Sequence, residues 1–193
     1  MDSRSLDEQR AEFANRPLIA TPIAGMIAWT IVGVAGYLLP TRQAALVLFI
    51  ATGMIVYLGM FISRFTGENF MDRSKPMNSF DVLFLYTCGM SFLVFAIAIP
   101  FFLENRSSLP MAVGVLTGLM WVPISWIIRH WIGVVHAVVR TVAVVAAWYV
   151  WPAQRFVVIP AVIVALYAAA IWVLLNRPRP TTVPTASATS SSC

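Results

Sequence analysis

The side chains able to do chemistry in this chain stand out because so little around them is polar. Arg129, His136 and Arg140 recur at spacings of seven and four within a stretch otherwise dominated by Val, Ile, Ala and Gly. In a continuous helix those spacings put all three on one stripe. A charge at the centre of a lipid-crossing helix costs roughly 2.5 to 3.5 kcal/mol even on the lenient insertion scale, so it normally faces a bundle interior or water. The chemistry such a stripe offers is the binding or passage of an ion or small molecule. Two other readings stay open. Helical side chains tilt toward their own N-terminus, which lets Arg140 snorkel to the headgroups. Alternatively Arg129 to Arg140 lies flat at the interface, but Thr141 to Leu175 is then too short for two full spans.

Arg140 needs a counter-charge. The carboxylate at the edge of an apolar run is Asp81, so the sequence predicts that Asp81 pairs with His136 or Arg140. A second cluster, Gly114-Val115-Leu116-Thr117-Gly118 followed by Trp121-Val122-Pro123-Ile124-Ser125-Trp126, lies one segment earlier. Gly114 and Gly118 make a small-xxx-small face that lets another helix come close. Pro123 lacks an N–H and kinks its helix, freeing a carbonyl for Ser125 or water. With the indoles of Trp121 and Trp126 this kink could line a small polar pocket, although packing alone is the simpler and favoured reading. Pro22, Pro100 and Pro160 are read as packing residues of the same kind.

Enzyme chemistry has little to stand on. The sequence holds no Gly-rich phosphate loop, no His-Glu-x-x-His helix, no intramembrane carboxylate pair and no G-x-S-x-G nucleophile. His130 and His136 lack an acidic or thiol partner at suitable spacing, so no metal site and no cofactor is expected. Cys88 and Cys193 make no disulfide framework.

The elements that must position these groups follow from composition. Of 193 residues, 60% are hydrophobic and 11% charged, against roughly 25% charged in a soluble domain. So much apolar surface cannot be hidden inside a globule of this size. A lipid solvent removes the difficulty. Six runs have about the 20 apolar residues a span needs: Leu18 to Leu39, Ala44 to Ile62, Phe80 to Phe102, Leu109 to Ile128, Ile132 to Trp151 and Phe156 to Leu175. The expectation is an all-α membrane protein, a bundle of six transmembrane helices joined by short links that favour antiparallel neighbours. Residues 1–17 form a polar cytoplasmic segment, 18–175 the membrane domain and 176–193 a disordered Pro/Thr/Ser-rich tail.

The net charge of +5 is spread over segment ends rather than one face, which argues against nucleic acid and for orientation. Arg4, Arg10, Arg16, Arg64, Arg73, Lys75, Arg129, Arg177 and Arg179 fall on one side, and Arg42, Arg106 and Arg155 on the other. Nine against three puts both termini in the cytoplasm. Trp121, Trp126, Trp131, Trp148, Trp151 and Trp172 lie near predicted helix ends, where indoles favour the interface. One internal echo is present: Thr52-Gly53 and Thr117-Gly118 each precede an arginine, Arg64 and Arg129, by twelve residues counted from the Thr.

Trp29 with Gly33 and Gly36, Thr52-Gly53 through Gly59 to Ser63-Arg64, and Gly114, Gly118, Trp121, Pro123 and Ser125-Trp126 together resemble an uncharacterised family of small bacterial multi-pass membrane proteins, a domain of unknown function. The resemblance spans most of Leu18 to Leu175. It implies a six-helix protein of the bacterial inner membrane and no catalytic residues. Where family members carry a His before an aromatic in the fourth helix, this chain has Met120-Trp121, which removes the basis for a shared histidine site. The functional expectation is a small transporter or channel-like protein for an ion or small molecule in the lipid bilayer, or else a structural or accessory subunit that packs against a larger complex, its partner a second copy or another membrane protein.

Overall fold

The computed structural model describes residues 4–68 and 78–179, and among them all regular structure is helical. Most of the predicted link between Ser63 and Ser79, with Arg73 and Lys75, and the tail beyond Arg179, with Cys193, lie outside the described residues.

The first helix, α1 (Leu6–Asn15), falls where the sequence suggested only a polar segment. A reciprocal cap starts it: the Ser5 hydroxyl accepts from Glu8 N at 3.2 Å while Ser5 N donates to the Glu8 carboxylate at 2.8 Å. Leu18, with φ 56°, reverses the chain into α2 (Ala20–Leu38). There follow α3 (Thr41–Gly53), α4 (Ile55–Thr66), α5 (Ser79–Leu93), α6 (Phe95–Glu104), α7 (Leu109–Gly118), α8 (Trp121–Ile128), α9 (Ile132–Val150) and α10 (Arg155–Asn176).

Five rods are long and apolar enough to cross a membrane: α2, α5 with α6, α7 with α8, α9 and α10. A sixth exists if α3 and α4, bent by 45° at their junction, count as one span. The single rod predicted over Ala44–Ile62 is therefore broken. The Thr52 hydroxyl donates back to the Leu48 carbonyl at 2.7 Å, an arrangement that bends helices, and Gly53 follows with no side chain to resist. The outward faces carry Ile31, Leu46, Phe61, Leu93, Val138 and Trp172, each at least half exposed. Such faces would aggregate in water but match hydrocarbon.

At the centre, α2 lies along α10. Gly36 sits against the Phe156 carbonyl, Gly33 is near Pro160 and Gly25 faces the Tyr167 ring. The three glycines let the two backbones approach closely.

One end of the bundle is tied by polar groups that link distant parts of the chain. Asn78 donates to the Gln9 carbonyl at 2.7 Å, and Ser79 N donates to the Gln9 side chain at 2.8 Å. Arg177, which the sequence assigned to the tail, is buried and donates to the carbonyls of Ala14 and Arg16, both at 2.7 Å. Left-handed Gly67 (φ 75°) ends α4 and turns Glu68 beneath α2. There its Oε1 accepts from Ile19 N at 2.7 Å and Ala20 N at 3.0 Å. This carboxylate thus caps a helix whose own N-cap residue, Ile19, has no side-chain hydrogen bond.

Burial pushes the Glu68 carboxyl above its ordinary pKa, against the opposing pull of the Ala20 and Ile19 amides, Thr66 and Arg16. A group whose folded pKa is raised adds stability at pH below its unfolded pKa and loses that contribution as pH rises through the folded value. Acidifying from neutral toward about pH 5 should therefore raise the melting temperature. Glu68→Gln keeps an acceptor for the two amides and should flatten that slope. The same pH dependence in both proteins would refute the assignment.

Candidate functional site

Helix α9 runs unbroken from Ile132 to Val150 and carries Arg140 near its midpoint. The arginine is 0% exposed, so it neither snorkels nor lies at an interface. Its Nε donates to the Gly114 carbonyl at 2.8 Å, one terminal nitrogen to the Tyr167 hydroxyl at 3.0 Å and the other to the Thr117 hydroxyl at 3.0 Å. Among the described residues no carboxylate pairs with it.

The sequence explains how this seat forms. Pro123 cannot supply an N–H to the preceding turn, and the rod breaks ahead of it at Leu119-Met120. Helix α7 consequently ends at Gly118, and the Arg140 side chain lies on that glycine. A Cβ there would stand 3.0 Å from Arg140 Cδ and 3.2 Å from its Nε. The negative end of the α7 dipole thus faces the guanidinium, offsetting part of its charge. Gly25 does the same for Tyr167, whose phenol oxygen would be 2.7 Å from a Cβ at that position.

Aromatic groups complete the core. The Arg140 guanidinium lies 5.1 Å from the Tyr167 ring centre and 5.8 Å from that of Trp29. One turn earlier His136 stacks on Trp121 at 4.1 Å and approaches Tyr167 at 5.4 Å. His136 Nε2 and Trp29 Nε1 are buried without a hydrogen-bond partner among the described residues.

Against this core lies a cavity of about 80 Å³. Thr117, Trp121 and Tyr167 line one part of it, Thr52, Thr87 and Ser91 another, and Phe13 of α1 closes it toward the tied end. The hydroxyls of Thr52, Thr87, Ser91 and Thr117 all donate to carbonyls in their own helices. Both members of the Thr-Gly echo, Thr52 and Thr117, therefore stand at a helix break and face the same cavity.

Of the residues singled out from sequence, Gly114, Gly118, Trp121, His136 and Arg140 come together, with Pro123 breaking the rod beside them. The rest do not join them. Asp81 pairs with Arg16, both its oxygens engaged, rather than with His136 or Arg140, because it sits in the first turn of α5 at the tied end. Arg129 is not on the α9 stripe: its left-handed backbone (φ 49°) ends α8, and its side chain is exposed, 3.7 Å from exposed Asp7. Ser125 donates to the His130 carbonyl and closes the α8–α9 turn. Trp126 stands on the surface beneath the Arg10 guanidinium, 4.6 Å away. Trp121, predicted at an interface, is buried.

Asp81→Asn should consequently loosen α1 and leave the Arg140 core intact. The pair is mostly buried, so the expected loss is about 1 to 2 kcal/mol, read by thermal unfolding in detergent. A change in the environment of His136 or Arg140, seen in histidine NMR signals, would contradict this separation.

Three groups that sequence reasoning left out of the site are Thr117, Tyr167 and Trp29. In the sequence Thr117 is marked only by the Thr-Gly echo and Trp29 only by the resemblance. Tyr167 has one usable signal, a phenol in the middle of an otherwise apolar span, where a hydroxyl needs a partner.

An all-helical protein whose apolar rods suit a membrane, with Arg140 sealed in its core, is the class this arrangement defines. The chain belongs to the family of unknown function DUF7010, whose pattern it matches over residues 6–177. No curated protein and no solved structure matches it.

Proposed function

We propose that the protein is a small transporter or channel-like protein for an ion or small molecule, crossing the bacterial inner membrane six times with both termini in the cytoplasm. The observation that carries the reading is Arg140, fully buried, without a carboxylate among the described residues, directly behind the hydroxyls that line a cavity. A guanidinium held only for packing would be replaceable by an apolar residue at no cost to the fold. A charge placed in the middle of an apolar bundle points to use. The orientation is supported by the nine-to-three excess of basic residues. The sixth crossing is supported by the bent pair α3 and α4.

The test is flux in proteoliposomes over a panel of inorganic ions and small metabolites, wild type against Arg140→Gln. Transport above protein-free vesicles that Arg140→Gln abolishes is the expected result. No flux for any member of the panel, together with co-purification of a fixed membrane partner, would favour the accessory-subunit role instead.

A further inference from the structure

The donors and acceptors around the cavity are unequally used, and the imbalance specifies a ligand. Thr117 has spent its proton on the Val113 carbonyl at 2.6 Å and its oxygen on Arg140. Thr52, Thr87 and Ser91 have likewise given their protons to backbone carbonyls. Tyr167 differs: its oxygen accepts from Arg140, while no partner among the described residues takes its own proton. That proton is the strongest hydrogen-bond donor facing the cavity, because a cation bonded to the oxygen polarises the O–H bond. Behind it stands a positive charge that the α7 dipole and neutral partners offset only in part. Most of the remaining wall, including Leu18, Pro22, Ile55, Val56, Phe84 and Ile124, is apolar, and Thr21 and Cys88 add a hydroxyl and a thiol away from the guanidinium's field.

We infer that the cavity binds a small monocarboxylate, its carboxylate accepting from the Tyr167 hydroxyl under the field of Arg140 and its short alkyl part lying among the apolar walls. The inference rests on reading the Arg140 core as a binding site. Size sets the length of the chain. A cavity of about 150 Å³ holds the six heavy atoms of a benzene ring, so about 80 Å³ fits about three or four, the size of acetate.

The test titrates the purified full chain in lipid nanodiscs with acetate, propionate and butyrate, and with ethanol, propanol and butanol as uncharged matches. Tryptophan fluorescence is the readout, since Trp121 lines the cavity. Saturable quenching by acetate that weakens as the acid lengthens, and none by the alcohols, is expected. Tyr167→Phe removes one hydroxyl from the site, and it should weaken acid binding about tenfold or more. Alcohols binding as well as the acids, or acids binding Tyr167→Phe undiminished, would overturn the assignment. Flux measurements separate this from the transport reading. Acid binding without transport keeps the ligand class and removes transport, whereas transport of inorganic ions with no acid binding keeps transport and removes the ligand class.

Discussion

Arg140→Leu should unfold at the wild-type temperature or above it while losing ligand binding. The two halves of that result come from different physics. Sealing a guanidinium in an apolar bundle carries a desolvation cost of several kcal/mol, and replacing a buried charged group by a packed apolar one is often neutral or stabilising. Of the groups left behind, Thr117 keeps its bond to the Val113 carbonyl and Gly114 remains within α7, while the Tyr167 hydroxyl loses its partner but still faces the cavity. The site itself loses the charge that polarises Tyr167. Melting in detergent and ligand titration, run on the same preparation, give the two readings. A melting temperature far below wild type would make Arg140 a structural rivet. Wild-type binding would remove it from the site altogether.

Gly36→Val should cost about 3 kcal/mol or more and sharply reduce the yield of folded protein. A Cβ at this position would collide with the carbonyl of Phe156 and stand 2.7 Å from that residue's Cβ. The obstacle is backbone in the first turn of α10, which cannot rotate aside as a side chain would. The matched control is Gly89→Val in α5, where nothing lies within 4 Å of an added Cβ. There the change should stay within about 0.5 kcal/mol. Comparable losses at the two positions would mean that glycine's role here is local to each helix rather than a matter of how α2 meets α10.

Hydropathy made the apolar rods legible, because a lipid-crossing helix needs length and little else. Their interruptions were not, since Thr52-Gly53 and Thr117-Gly118 keep the mean hydropathy high while bending or ending the helix. Arg140 was recognisable as a charge in need of company. Charge ordinarily answers charge, and that expectation points to Asp81. The actual partners are a carbonyl at Gly114 and hydroxyls at Thr117 and Tyr167, groups from two other helices that look ordinary in a list of residues. Helix α1 is hidden in the sequence for the opposite reason. Its apolar content is slight, and only Ser5 and Glu8, three apart, mark its start. Its hold on the bundle comes from contacts with Asn78, Ser79 and Arg177, more than sixty residues away in sequence. Arg129 shows the limit of counting by spacing, since a single left-handed residue removes it from the stripe that spacing assigned.

The three bonds to Arg140 also bear on how the protein is made. A chain emerges from the ribosome in order, so Gly114 and Thr117 are already in place when Arg140 reaches the lipid, but Tyr167 is 27 residues behind it. Until α10 arrives, α9 must remain inserted with its arginine only partly satisfied, held by the Val, Ala and Ile around it. Helix α10 then closes the core and docks Arg177 onto the end of α1, so one helix made after α9 locks both the deepest charge and the distant α1.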